Sequence, residues 1–532
     1  MNTTPLEQIK AGEAIVGIEL GSTRIKAVLI DRENKPIATG ACEWENSLID
    51  GVWTYSLEDV GRGLSESYVD LKAKVRKQFG AELKKVRAIG ISGMMHGYLV
   101  FDSEGKQLTP FRTWRNNITG ESSRELTTLF NYPIPQRWSI AHLYQAMIVG
   151  EKHISAIDYM TTLSGFVHWK LTGRRVMGAG EASGMFPLDR STHRFREDLI
   201  RLFDSHTEKF EKSWKLLNIL PEVLTAGDKA GALTEEGARW LDPEGDLVSG
   251  IPLCPPEGDA GTGMVATNSV SPRTGNVSAG TSTFAMIVLE KELEEVHEEI
   301  DLVTTPDGSP VAMAHSNNCT SDFNAWLSVL GEGATLMGGD SDKNRLFERM
   351  MKKALEGDAD CGGLLSIGYL SGEHVTGFTE GRPLFVREAD SRFTLANFLK
   401  AHLYSSICAL KTGVDILLER EGVKVDEIRG HGGFFKTEGV GQRIMAAALN
   451  TPVSLLETAG EGGAWGIALL ASYMTAKTDG ESLSCFLEKI FSRSMGQALK
   501  PDQKDVEGFK SYFKRYHRGL AIERAAVENL TD

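Results

Sequence analysis

IVGIELGSTRIKAVLID at 15–31 and GNVSAGTSTFAMIVLE at 275–290 carry one pattern: an apolar run reaches a Gly/Ser/Thr turn and continues as a second apolar run. A run split in this way reads as a β-hairpin. Its turn has two readings. Glycine lets a backbone approach an anion closely, and successive N–H groups with nearby hydroxyls make a donor cluster that a polyphosphate can fill. Gly-Ser-Thr is also ordinary hairpin chemistry. Two copies in separate halves, the second just after an aspartate-bearing segment, favour two lobes acting on one nucleotide. On that reading Gly21, Ser22 and Thr23 in the first turn and Gly280, Thr281 and Ser282 in the second contact phosphate. Lys26, on the strand after the first turn, would neutralise phosphate charge or simply be solvated.

At 532 residues the chain exceeds one ordinary core, so two large domains are expected. With 41% hydrophobic residues, 24% charged residues and 56 glycines, it reads as folded and rich in turns rather than disordered. A net charge of -14 argues against sequence-independent binding to nucleic acid or to an anionic membrane. The six cysteines, Cys42, Cys254, Cys319, Cys361, Cys408 and Cys485, never form C-x-x-C, which favours reduced thiols in a cytoplasmic protein over disulfides or a zinc site. MNTTPLEQIKAGEA at the start lacks the apolar core of a signal peptide, and no apolar stretch approaches the roughly 18 residues of a membrane span.

Along the chain, 56–79 has helical spacing of apolar residues, and VRAIGISGMMHGYLVFD at 86–102 reads strand, loop, strand. Residues 140–171 are mostly helical in pattern. LVSGIPLCPPEGDAGTGMVA at 247–266 runs strand, Pro-rich break, glycine turn and helix start, and the domain boundary is placed there, giving 1–256 and 257–532. The second half holds a long amphipathic helix at 394–420 and two glycine turns that each lead into a helix. The charged tail at 502–532 reads as helical, for packing or surface rather than chemistry.

Asp259, in PPEGDAGTG, is the leading catalytic candidate. A carboxylate on an exposed loop can take the proton of a hydroxyl attacking a γ-phosphate, and it can equally be a turn or cap aspartate. Glu19 interrupts an apolar strand and faces either solvent or a cation such as magnesium, which prefers hard oxygen ligands. Met95 and His96, in GISGMMHGYL, and Trp114 with Asn116, in FRTWRNN, offer the mixed apolar and hydrogen-bonding surface that suits a polyol; each also has a structural reading. Gly432, Gly433 and Phe434 of GHGGFFKT, with Gly460, Gly462 and Gly463 of TAGEGGAWG, would let a flat base slide between backbone segments or would cap helices.

In this order the motifs resemble the FGGY family of carbohydrate kinases, within the actin-like and hexokinase-like ATPases, over nearly the whole chain. GIELGSTRIKAVLID resembles the first phosphate loop, GISGMMHG the sugar loop and EGDAGTG the catalytic aspartate loop. GNVSAGTST resembles the second phosphate loop, GYLSGEHVTG the C-terminal signature, and GHGGFFKT with GEGGAWG the adenosine segments. The M-H-G loop is most similar to xylulokinases. The resemblance implies an α/β fold of two RNase H-like domains around a central cleft, with sugar bound mainly by the first and ATP and Mg²⁺ mainly by the second. It implies Asp259 as general base, Met95, His96, Trp114 and Asn116 at the sugar, and Glu19 at the magnesium. The expected reaction is phosphorylation of the terminal hydroxyl of a ketopentose, D-xylulose or L-ribulose; the alternatives are another ketose, a sugar alcohol, or a non-catalytic nucleotide or sugar sensor. The partner is a small-molecule sugar, with no nucleic acid or membrane, and a homodimer is left open. Four positions depart from the family pattern: Glu19 and Asn116 stand where Asp is usual, Met94 where Gln is, and Ala260 where Asn is.

Overall fold

The computed structural model describes residues 4–339, 342–456, 462–492 and 496–530. These form two compact units. The first holds the described residues of Met1–Val270, Asp301–Val311 and Gly460–Arg493, and the second those of Ser271–Ile300, Ala312–Ala459 and Ser494–Asp532. The chain therefore does not divide at a single cut after 256. The first unit runs on past the aspartate loop and takes back two later segments, because the helix Gly462–Ala476 packs on the first sheet.

The first hairpin forms as expected: Ile15–Leu20 pairs antiparallel with Arg24–Ile30. It is the centre of a five-stranded sheet ordered Glu257–Gly258, Ala88–Gly93, Ile15–Leu20, Arg24–Ile30, Pro36–Glu43. Ile15–Leu20 and Glu257–Gly258 both run parallel to Ala88–Gly93. Register aligns Lys26, Glu19, Ser92 and Glu257 in one row across four strands. Because side chains alternate along a strand, register partners share a face, so this row gathers two carboxyls on one side of the sheet.

That face also carries Gly17 and Gly90, which are register partners. A Cβ at Gly17 would stand 2.1 Å from the Ala464 carbonyl oxygen, and one at Gly90 2.6 Å from that of Ile467. Both glycines exist so that the helix Gly462–Ala476 can lie against bare backbone. Gly466 on the helix repeats the device towards the neighbouring helix Asp259–Ala266, where a Cβ would meet the Thr262 carbonyl oxygen at 2.0 Å. On the 23-residue helix Leu57–Phe79, Ser56 caps the N-terminus and Gly80 closes the C-terminus in the left-handed conformation. Its apolar residues join the core cluster around the sheet.

The second unit repeats the strand pattern. Thr274–Ala279 pairs antiparallel with Thr283–Val288 and parallel with Glu427–His431, which pairs parallel with Val453–Leu455. The helix Leu395–Asp415, capped by Thr394, is buried along most of its length. The tail folds as the 27-residue helix Gln503–Asn529 and packs through Tyr512, whose hydroxyl donates to the carbonyls of Ala401 and Ser366 at 2.8 and 3.0 Å. Among the described residues the cysteines are free thiols, and no helix is long and apolar enough to cross a membrane.

Replacing Gly17 by Ala should cost about 1–3 kcal/mol or more, because the added methyl meets backbone that cannot rotate away. Gly263→Ala, at a helical position with nothing within 4 Å of the new methyl, should be neutral or gain up to about 1 kcal/mol. Urea unfolding of the two variants beside the parent checks the contrast, and equal midpoints would contradict the seating described.

Candidate active site

Asp259 is the first residue of the helix Asp259–Ala266 and follows directly on the strand Glu257–Gly258. Its Oδ1 accepts the Met95 N–H at 3.1 Å, which ties the aspartate loop to the M-H-G loop. Burial pushes its carboxyl above the usual range, while the N–H groups of Met95, Ala260 and its own residue oppose that shift. The result is a half-buried carboxylate that binds a proton more readily than one in water.

Glu19 is pushed up to about 7, first by burial and then by the charge of Asp259. Its Oε2 accepts the Ala464 N–H at 3.2 Å, at the start of the helix Gly462–Ala476, and the carboxyl lies so close to Gly463 that a Cβ there would be 2.4 Å from Oε1. Gly462 and Gly463 thus belong to the first unit and face Glu19, where the sequence reading assigned them to the adenosine segments of the second domain. Their helix is held by the sheet glycines, which local sequence does not reveal. Gly460 lies outside the described residues. Glu257, also in the row, is almost fully buried and is pushed up to about 8 by burial.

In the M-H-G loop Met95 is buried, with its side chain against Gly184 and Gly258. His96 has φ +70° and is 5% exposed; burial and the charge of Arg137 hold its imidazole well below the ordinary value, so it is neutral. Arg137 is itself paired with Asp301. Trp114 is 42% exposed and offers a ring to a ligand. Asn116 does not. It is 2% exposed, its Oδ1 accepts the Trp53 N–H at 2.8 Å, and its Nδ2 donates to the carbonyls of Trp53 at 2.8 Å and Thr113 at 3.0 Å. The amide is a clip between two loops. A carboxylate could not make it, having no N–H to donate, which accounts for Asn at this position.

The first turn is exposed at Thr23 and half-buried at Gly21 and Ser22. Trp44 Nε1 donates to the Gly21 carbonyl at 2.7 Å, the Tyr55 hydroxyl to that of Ser22 at 2.6 Å, and the Trp44 N–H to that of Thr23 at 3.2 Å. With its three carbonyls engaged, the turn keeps its acceptors occupied, as suits an anion-facing loop. Lys26 lies in the Glu19 row and favours the ionised form of Glu19.

In the second unit the Thr320 N–H and hydroxyl both donate to the Gly280 carbonyl, at 3.1 and 2.7 Å, and the Cys319 N–H donates to that of Thr281 at 3.0 Å. Thr281 and Ser282 are exposed. Gly432 has φ +100°, and a Cβ there would be 2.4 Å from the Ala279 carbonyl oxygen, whereas Gly433 faces open space. The Phe434 ring is fully buried against Phe435, so this residue can offer a ligand only its backbone. Glu373 of the GYLSGEHVTG segment is buried and accepts from the Ser316 hydroxyl and the N–H groups of Asn317 and Asn318. It organises that loop.

Among the described residues no group of three or more His, Cys, Asp and Glu forms a metal cage. Magnesium usually takes one or two carboxylates, phosphate oxygens and water, and a carboxyl whose proton affinity is raised by burial and by a neighbouring carboxylate, as that of Glu19 is, is what a hard dication relieves. Glu19 beside Asp259 fits that donor set.

The residues that sequence reading missed are Glu181 and Glu257. Glu181 sits at the centre of GAGEASG, 178–184, fully buried, and burial together with Asp259 and Glu257 holds its carboxyl well above the usual range. Its signal is a lone carboxyl inside an otherwise small-residue run with a glycine on either side.

Family models for the N-terminal and C-terminal domains of FGGY carbohydrate kinases match 14–260 and 275–475. The chain belongs to the FGGY family of carbohydrate kinases. A xylulose kinase of Haemophilus influenzae is 22% identical over 525 residues, covering 94% of this chain and 98% of that protein. The solved gluconate kinase of Lactobacillus acidophilus superposes with a TM-score of 0.78 at 18% identity, covering 97% of this chain and 99% of that one. The Plasmodium falciparum glycerol kinase with ADP superposes at 0.74 and 14% identity, covering 98% and 99%. This FGGY kinase thus has the two-domain ATPase fold shared by enzymes named for different sugars and polyols.

Glu19 and Glu257 are both held above their ordinary 4.5, to about 7 and about 8. The folded protein therefore keeps protons that the unfolded chain has released, and their stabilising contribution is full below about pH 4.5 and is lost as pH rises through 7 and 8. Urea midpoints should fall between about pH 5 and 8, and Glu19→Gln should flatten the part of that fall below pH 7. Parallel profiles for parent and variant would refute the assignment.

Proposed function

We propose that this FGGY kinase transfers the γ-phosphoryl group of ATP to the terminal hydroxyl of a ketopentose, D-xylulose or L-ribulose, giving the 5-phosphate. The observation that carries this reading is the hydrogen bond from the Met95 N–H to Asp259 Oδ1. It makes a half-buried, proton-seeking carboxylate part of the same bonded unit as the M-H-G loop.

In the reaction the substrate oxygen attacks the γ-phosphorus as its proton passes to Asp259. The bond from phosphorus to the β-bridging oxygen breaks, and ADP leaves. His96, neutral and with Nδ1 3.3 Å from the Gly184 carbonyl oxygen, orients a substrate hydroxyl through its ring, and Trp114 offers an apolar face to the carbon chain. Asn116 is withdrawn from the substrate contacts, since its amide is spent on Trp53 and Thr113. The first turn, through Ser22, Thr23 and Lys26, and in the second unit the turn of Thr281 and Ser282 beside Gly432 and Gly433, each offer N–H groups and hydroxyls to nucleotide phosphate; the Gly21 and Gly280 N–H groups are spent inside their own turns, on the carbonyls of Arg24 and Ser282. Glu19 with Asp259 would hold Mg²⁺, which supplies neutralisation of phosphate charge. The ketopentose assignment is supported by the M-H-G loop and by near full-length similarity to a xylulose kinase.

Asp259→Asn should lower sugar-dependent ADP release about 10²–10⁴-fold while ATP binding stays within a few-fold. A coupled assay over ketopentoses, ketohexoses, aldonates and polyols, reporting kcat/KM for each, checks the substrate. Unchanged turnover in the variant would remove Asp259 from its role, and a preference for a polyol or an aldonate would remove the ketopentose.

A further inference from the structure

The segment Gly178–Gly184 joins three parts of the site that are far apart in sequence. Its N–H groups at Gly180 and Glu181 donate to the Glu257 carboxyl, at 3.3 Å to Oε1 and 2.9 Å to Oε2. The fit is close: a Cβ at Gly178 would stand 2.2 Å from Glu257 Oε1, and one at Gly180 2.5 Å from Oε2. The Glu181 carboxyl in turn lies on the backbone beside the catalytic residue, 2.2 Å from where a Cβ of Gly258 would be. Neither of its oxygens accepts a well-formed hydrogen bond, although the Thr162 hydroxyl and the His96 N–H face it. At the far end the Gly184 carbonyl meets His96 Nδ1 at 3.3 Å, and a Cβ at Gly184 would be 2.6 Å from that nitrogen. Thr304 braces the outer side, its N–H donating to Ser183 Oγ and its hydroxyl to the Ala179 carbonyl, both at 3.0 Å.

We propose that Glu257 is a positioning residue for phosphoryl transfer: it binds the Gly178–Gly184 segment to the strand that leads into Asp259, and through that segment it sets His96 relative to Asp259. The inference rests on the reading of Asp259 as base and His96 as a sugar contact. Its physical basis is that a buried carboxyl satisfies two backbone donors at once, and deleting it leaves both unpaired in a place water does not reach. The segment then has no reason to keep its distance from Gly258, and a displacement of about 1 Å between reacting groups costs on the order of 100-fold in rate.

The experiment compares Glu257→Ala and Glu257→Gln with the parent by steady-state kinetics and by amide hydrogen exchange of the peptide spanning 90–98. Glu257→Ala should lower kcat on the order of 100-fold, with the KM for ATP within about twofold. Exchange at Met95, His96 and Gly97 should quicken, while exchange in the helix Leu57–Phe79 stays at the parental rate. Glu257→Gln, whose amide oxygen keeps one of the two acceptors, should recover a large part of both and serves alone if the alanine variant does not fold. Parental kcat in Glu257→Ala, exchange that quickens throughout the first unit, or a glutamine variant no better than alanine would each overturn the proposal. If the parent shows no sugar-dependent ADP release, the kinase assignment of substrate and base fails. The exchange measurement then still decides whether Glu257 holds the loop.

Discussion

The first unit depends on bare backbone meeting bare backbone where the helix Gly462–Ala476 lies on the strands Ile15–Leu20 and Ala88–Gly93. Gly17 and Gly90 sit side by side in the sheet and leave no room for even a methyl group below the helix. This closeness has a cost, since glycine loses more chain entropy on folding than any other residue. What it secures is the height of the helix above the sheet, and therefore the place of its first N–H groups. Glu19 stands two residues beyond Gly17 on the same face and accepts the Ala464 N–H. Ser92, its register partner, shares a hydrogen bond with Thr262 at 3.0 Å on the helix that begins with Asp259.

A second consequence is electrostatic. Glu19, Glu181, Glu257 and Asp259 are four acids in one unit, all pushed towards their neutral forms mainly by burial. Protein interiors tolerate such groups when backbone N–H groups face them, and here they do at Glu19, Glu257 and Asp259. Their chemistry differs accordingly. Asp259 and Glu19 are half-buried, and Glu19 is bonded to a helix start, whereas Glu257 and Glu181 are closed off from solvent.

The two turns flagged in the sequence are built by different neighbours. In the first, Trp44 and Tyr55, stacked with ring centroids 4.2 Å apart, reach in to hold the carbonyls of Gly21, Ser22 and Thr23. In the second, Thr320 and Cys319, at the start of a helix, take that part. The shared element is the hairpin followed by a parallel strand, and the support around it is particular to each unit.

The sequence by itself determined the α/β class, both hairpins, the aspartate loop and the family, because these are written in contiguous runs whose period and turn chemistry are local. It also marked Asp259 and Met95, which the structure joins by a hydrogen bond, and His96 beside them. Only the tertiary structure decided the roles of residues whose partners are far away in the chain. Asn116 read as a sugar ligand and is a clip on Trp53, the Phe434 ring is core, and Gly462 and Gly463 face Glu19 in the first unit. Glu181 and Glu257 emerge as site residues only from the burial, and at Glu257 the backbone donors, that the fold gives them. The physical reason is that a side chain's role follows from what desolvates it and which donors reach it, and both are fixed by strand register and helix seating rather than by neighbours in sequence.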